Sequence, residues 1–154
     1  MNARPSEAFR LEHGELRAHL SRLADRVGLL SADTEAVQRE TLADFLRFLE
    51  AHIGPHAAWE ETHLYPIADR LVGGRESFTA ALHHEHRIIR RRARALAEEA
   101  ALPNPDWHTF VRHMDRLMGL LEGHFETEEE VLLPILDREM SAEQFATIIG
   151  ARER

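Results

Sequence analysis

The sequence contains no cysteine, which excludes disulfides, thiolate metal ligands and a cysteine nucleophile. Glycine and proline are sparse, at eight and six of 154 residues, and valine and isoleucine are scarce beside Leu, Ala, Glu and Arg. That balance favours helices over sheets. A basic surplus is missing too: the formal charge is −8, which argues against a nucleic-acid or anionic-membrane partner. The local exception, Arg87, Arg90, Arg91, Arg92 and Arg94, reads as a solvated helix face. No apolar run approaches a membrane span, and the stretch from Met1 to Glu7 lacks the apolar segment of a secretory signal. The expectation is one cytoplasmic domain over residues 1–154, large enough to bury a core without staples.

Histidine, by contrast, is abundant, with eleven copies, and its placement is patterned. His56-x3-Glu60-Glu61-x2-Leu64-x-Pro66-Ile67-x-Asp69-Arg70 recurs 68 residues later as His124-x3-Glu128-Glu129-x2-Leu132-x-Pro134-Ile135-x-Asp137-Arg138. Eight identities fall in register over fifteen positions. Upstream, Glu12-His13-x2-Leu16-Arg17 is echoed by Glu85-His86-x2-Ile89-Arg90. The chain therefore reads as a doubled unit, with halves at about 8–72 and 75–138, each offering one lone His and then a His-x3-Glu.

Punctuation divides the chain into four long helices and a short fifth. Ser6 is positioned to cap the first, whose apolar stripe is Phe9, Leu16, Leu20, Leu23, Val27 and Leu30. Asp33 or Thr34 starts the second, and Pro55 within it predicts a kink just before His56. Gly73-Gly74 closes the first half, and a third helix spans about Arg75 to Ala101. Asn104 is expected to cap the fourth, with Pro105 at its first position and a stripe of Phe110, Met114, Leu117, Leu121, His124 and Glu128. Ser141-Ala142-Glu143-Gln144 is a capping signature for a last helix through Ile148. Short connections make neighbouring helices antiparallel, so the expected fold is all-α: an up-down-up-down four-helix bundle with an internal two-fold repeat.

Residues four apart on a helix lie one turn apart on one face, with Cβ atoms about 5–6 Å from each other. His56 with Glu60, and His124 with Glu128, therefore reach one cluster from a single helix each, while His13 and His86 point inward from the first and third. Four imidazoles and two carboxylates without a thiolate suit iron, zinc or manganese. Two carboxylates that bridge and two His per metal suit a pair of ions better than a lone one.

A single His on an apolar stripe is ordinarily a hydrogen-bonded core residue. Four at repeat-related positions, two of them with a buried Glu one turn on, are hard to explain that way. An unpaired buried carboxylate costs several kcal/mol unless a charge compensates it, and here a metal would do so. Glu61, Glu126, Glu129 and Glu130 read as solvated groups or as supports behind the ligands. His19, His63, His84, His108 and His113 read first as surface or structural. A ferritin-like arrangement needs Glu-x2-His on two helices; Glu60-x2-His63 supplies one, but the counterpart of His63 is Val131.

The residues His13, His56-x3-Glu60-Glu61-x2-Leu64-Tyr65-Pro66, His86 and His124-x3-Glu128-Glu129-x2-Leu132-Leu133-Pro134 resemble the hemerythrin-like, or HHE cation-binding, domain family. The resemblance covers about residues 8 to 138. It implies a four-helix bundle around two non-haem irons with an oxo or hydroxo bridge, binding dioxygen or a related small molecule. It also implies that His13, His56, His86 and His124 are terminal ligands and that Glu60 and Glu128 bridge the irons. Tyr65 fills the aromatic slot of the family's Leu-aromatic-Pro end.

Departures from the family pattern narrow the expectation. Oxygen carriers of the family pair two His four apart on the third helix; here positions 82 and 90 are Leu and Arg. The iron–sulfur repair branch carries a cysteine-bearing N-terminal segment, and sensor members carry a fused output domain; neither is present in these 154 residues. The implied function is a di-iron protein that binds or reacts with dioxygen, peroxide or nitric oxide, as a monomer or a homodimer. The alternative is an iron- or zinc-buffering protein without redox turnover. A fifth His would leave one open position on one iron, as suits a reversible carrier. Four His leave both irons open, which favours chemistry over storage. His52 and His83 are the two candidates for a fifth, with His83 preferred as the added ligand and His52 as a pocket residue, and a four-His core stands level with either.

Overall fold

The computed structural model describes residues 4–74 and 78–150, with the side chain of Ser31 outside that description. The described residues are helical, with no strand among them. Helix α1 spans Glu7–Leu29, α2 spans 35–71, α3 spans Ala80–Ala100, α4 spans 107–139 and α5 spans Ala142–Gly150. Helix α1 packs on α2 and α4, and α3 packs on α2 and α4, so the four long helices form a helical bundle. No described helix is long and apolar enough to cross a membrane.

The apolar stripes read from the sequence are buried on α1 and α4. They form two clusters. One gathers Leu16, Leu20, Leu23, Val27, Phe45, Ile53, Ile89, Leu96, Met114 and Leu121. The other gathers Phe9, Trp59, Leu64, Tyr65, Leu82, Leu132, Leu133, Leu136 and Phe145. Each fully buried large side chain contributes about 1.5–3 kcal/mol. On every long helix the chain passes from one cluster to the other through a buried His: His13, His56, His86 and His124. A polar layer therefore crosses the core between two apolar ones.

Several helix ends depart from expectation. Ser6 holds the N-cap position of α1 as expected, but its side chain makes no capping bond; its backbone N–H and hydroxyl donate to the two carboxylate oxygens of Asp137 at 2.8 and 2.9 Å, joining the start of α1 to the end of α4. Thr79 does the same before α3, donating to Asp69 at 3.1 and 2.8 Å. The Asp of each repeated Pro-Ile-x-Asp-Arg thus grips the residue that precedes a helix of the other half. A carboxylate accepting two hydrogen bonds outcompetes a local cap, because charge-assisted bonds are stronger than neutral ones. On α4 the cap is Asp106, which accepts from the N–H of His108 and Thr109, and not Asn104. Asp106 directly precedes the helix, so its short carboxylate reaches the first-turn donors; Pro103, Asn104 and Pro105 remain in the connection. Thr34 caps α2, and Ser141 with Gln144 forms the expected reciprocal box on α5. Gly73 and Gly74 adopt φ of 101° and 70°, left-handed values that glycine takes without a Cβ clash. The expected start of the third helix, Arg75, lies outside the described residues; the described helix begins at Ala80.

Ahead of Pro55, where a kink is expected, the helix takes a π-helical turn, Leu49–Ile53, separated from the proline by Gly54. Two more π turns, Glu60–Leu64 and Glu128–Leu132, precede Pro66 and Pro134. A π turn shifts hydrogen bonding by one residue, which accommodates the missing proline N–H. Glu60 and Glu128 are the first residues of their π turns, so the distortion falls where two carboxylates face the core.

Candidate metal centre

The six residues singled out by the repeat converge. His13, His56, His86, His124, Glu60 and Glu128 are all at most 2 % exposed. One donor atom each from His13, His56, Glu60 and Glu128 lies within 4.8 Å of the others, and Glu60, His86 and His124 form a second such group. The Nε2 atoms of His13 and His56 are 3.1 Å apart, and those of His86 and His124 are 2.9 Å apart. Glu60 presents one oxygen 2.8 Å from His56 Nε2 and the other 3.3 Å from His86 Nε2, reaching both groups. Glu128 lies 3.4 Å from His13 Nε2 and 3.6 Å from His124 Nε2, also spanning the two.

Behind each imidazole stands a carboxylate. His56 Nδ1–H donates to Glu12 at 3.1 Å, His86 to Glu61 at 2.9 Å, His124 to Glu85 at 2.8 Å and His13 to Glu129 at 3.3 Å. An ionised carboxylate only accepts, so each Nδ1 carries a proton and each Nε2 faces inward. The supports close a ring. Glu12 of α1 holds a His of α2, Glu61 of α2 one of α3, Glu85 of α3 one of α4, and Glu129 of α4 one of α1. Arg90 donates to Glu61 at 2.9 Å and Arg17 to Glu129 at 3.3 Å. Glu61 is accordingly held below the usual carboxylate range: burial opposes this, and Arg90 and His86 outweigh it.

Polar groups inside this arrangement are left without partners from the protein. Both oxygens of Glu60 and one of Glu128 are buried with no hydrogen-bond partner, and the imidazole Nε2 atoms face one another in pairs. In a metal-free chain protons stand in. Burial works against a charge on His56, but Glu60 and Glu12 outweigh it and raise its pKa to about 9. Glu60 is held well below its ordinary value: burial opposes ionisation, and His56, His13 and His86 overcome it. Glu128 is pushed well above its ordinary value by burial and by the charge of Glu60. His124 is lowered by burial, with His86 adding to the effect. Nitrogen and oxygen donors, buried, convergent and short of positive charge, fit metal cations.

Neither extra histidine joins the cluster. His83 meets Tyr65 edge-on with ring centroids 5.0 Å apart, stands 3.9 Å from Glu61, and lines a surface cavity of 580 Å³ with Arg70 and Arg87. His52 is exposed and packs against Phe48 and His19. His63 stacks on Trp59 and donates to its carbonyl at 3.2 Å, and His113 donates to Glu99 at 3.1 Å. The basic run on α3 is exposed. Sequence reasoning gave no role to Glu12 and Glu85, although their recurrence beside His13 and His86 carried the signal. It also gave Tyr65 only an aromatic slot, whereas its hydroxyl donates to Glu128 at 2.7 Å.

The family model of the hemerythrin HHE cation-binding domain matches residues 4–136, so the chain belongs to that family of cation-binding proteins. No curated protein and no solved structure matches it significantly.

Proposed function

We propose that this chain is a non-haem di-iron protein that binds or reacts with dioxygen, peroxide or nitric oxide. His13 and His56 would hold one iron, His86 and His124 the other, and Glu60 and Glu128 would bridge the pair beside an oxo or hydroxo group. The observation that carries this reading is the double set of facing Nε2 atoms around two buried carboxylates, three of whose four oxygens lack hydrogen-bond partners. When bound, two irons would supply reversible redox change and coordination positions for a small molecule.

The chain's own residues prepare that chemistry. The Glu12, Glu61, Glu85 and Glu129 carboxylates fix the tautomer and aim of each imidazole. Phe9 and Phe125 pack against the His13 and His56 rings, excluding water from one side of the centre. Passage between the two apolar clusters in opposite senses on successive helices supports an up-down-up-down bundle with a two-fold repeat, and with it a single domain. A cytoplasmic address and the absence of a nucleic-acid partner accord with the charge and the lack of cysteine.

Optical spectroscopy on the purified, iron-loaded chain tests the reading. Near-ultraviolet and visible bands should appear and should change on reduction and re-exposure to oxygen. A colourless protein that keeps zinc after expression in iron-rich medium would contradict redox function and favour metal buffering.

A further inference from the structure

Tyr65 is fully buried and is the one tyrosine of the sequence. Its hydroxyl oxygen lies 2.7 Å from a Glu128 oxygen and 3.3 Å from His86 Nε2. Around that same Nε2, His124 Nε2 stands at 2.9 Å and a Glu60 oxygen at 3.3 Å. The phenolic oxygen therefore keeps the spacing that the other inward donors keep. We propose that Tyr65 is itself a metal ligand, its oxygen completing the donor group of Glu60, His86 and His124. This rests on the two-metal reading of the site.

Two observations support it beyond those distances. The ring is fixed in place, stacked on His86 with centroids 5.5 Å apart and bordered edge-on by His83 at 5.0 Å. Finally, the counterpart of Tyr65 in the sequence repeat is Leu133, which has no donor atom, so the feature belongs to one half alone.

Ligation replaces the phenol proton by a metal–oxygen bond. The O–H bond breaks, its proton leaves to solvent, and no electron is transferred. In the metal-free chain the phenol O–H donates to Glu128, and the local field is that of buried carboxylates. A multivalent cation reverses the sign of that local field, and a coordinating group then loses its proton. The consequence is asymmetry. The ion held by His86 and His124 gains a protein ligand that the other lacks, so a small molecule would meet one more accessible ion, beside His13 and His56, instead of two equal ones. The sequence invites a search for a fifth histidine; the structure supplies an oxygen donor in its place.

The test uses the full chain and two probes. Zinc added to the metal-free protein should produce a tyrosinate difference spectrum in the near ultraviolet, assignable because there is one tyrosine. The iron-loaded protein should show a phenolate-to-iron band whose resonance Raman spectrum contains tyrosine ring modes. Tyr65→Phe should lose both signatures while still binding two metals. Two bound metals with no tyrosinate signal in the parent would overturn the inference and leave the two-metal reading standing. A visible band unchanged in Tyr65→Phe would overturn it as well. Failure of the parent to bind metal at all would remove both. Should Tyr65→Phe not fold, the zinc titration of the parent decides alone.

Discussion

His124 donates its Nδ1–H to Glu85 at 2.8 Å, and Glu85 is the sequence neighbour of His86, whose Nε2 lies 2.9 Å from that of His124. One helix thus carries an inward ligand candidate and, one residue away, the support for its partner on the next helix. The same relation holds for Glu12 and His13, for Glu60 and Glu61, and for Glu128 and Glu129. Orientation of each imidazole therefore depends on helix register as well as on its own rotamer. Glu85→Ala or Glu12→Ala should lower metal affinity by roughly 10- to 100-fold without abolishing two-metal stoichiometry. Competitive chelator titration measures this, and unchanged affinity in both variants would show that the ring of carboxylates is incidental.

The inner carboxylates should behave differently. Glu60→Ala and Glu128→Ala should reduce metal content far more than Glu61→Ala and Glu129→Ala, because each removes oxygens that reach both groups of histidines. Elemental analysis of the four variants decides the point. Equal losses from all four would mean that the wrong carboxylates have been assigned to the metals.

Much of this was legible in the sequence. The three- and four-residue periodicity marked the buried stripes, and the doubled His-x3-Glu brought six residues to one place before any coordinates. What the sequence hid was competition between equally good local choices. Ser6 is a sound helix cap, yet a distant carboxylate binds it more strongly. Asn104 and Asp106 are both capping residues, and only the path of the connection selects Asp106. The supports behind the histidines come from neighbouring helices, so no spacing within one helix reveals them. A fifth histidine was sought at His83 and His52 because spacing alone suggested it, whereas the side-chain direction of His83 is towards Tyr65 and the surface.

The Asp grips should matter for stability and not for metal stoichiometry. Asp137→Ala leaves the Ser6 N–H and hydroxyl without their acceptor and should cost about 1–3 kcal/mol. Asp69→Ala should act similarly through Thr79. Denaturant unfolding of metal-loaded protein should register the loss while two metals remain bound. Loss of metal with unchanged stability would place these residues in the site instead.

Stability of the metal-free chain should fall as pH rises. His56 is raised from 6.5 to about 9, so its stabilisation is complete below pH 6.5 and lost as pH climbs through 9. That contribution is on the order of 3 kcal/mol as an upper bound. Glu128, raised above 4.5, acts in the same direction, because the unfolded chain ionises it at lower pH than the folded chain does. Glu60, lowered from 4.5, adds stability that is present above 4.5 and lost as pH falls through its depressed folded value. Metal displaces the inner protons, so the difference in melting temperature between metal-loaded and metal-free protein should widen from pH 6.5 to pH 9. A constant difference would contradict the protonated metal-free site.

His83→Ala and His52→Ala should leave iron content and the stoichiometry of the oxidised centre intact, since neither side chain enters the cluster. A long-lived reversible oxygen complex in the parent, abolished by one of these substitutions, would make that histidine a ligand.

On the proposed reading, one chain holds two metal ions between four histidines and two carboxylates. Elemental analysis of the purified, iron-loaded chain against protein concentration measures it directly. Two irons per chain, falling sharply in Glu60→Ala and Glu128→Ala, is the predicted result. A single ion per chain, or a full complement retained in both variants, would contradict it.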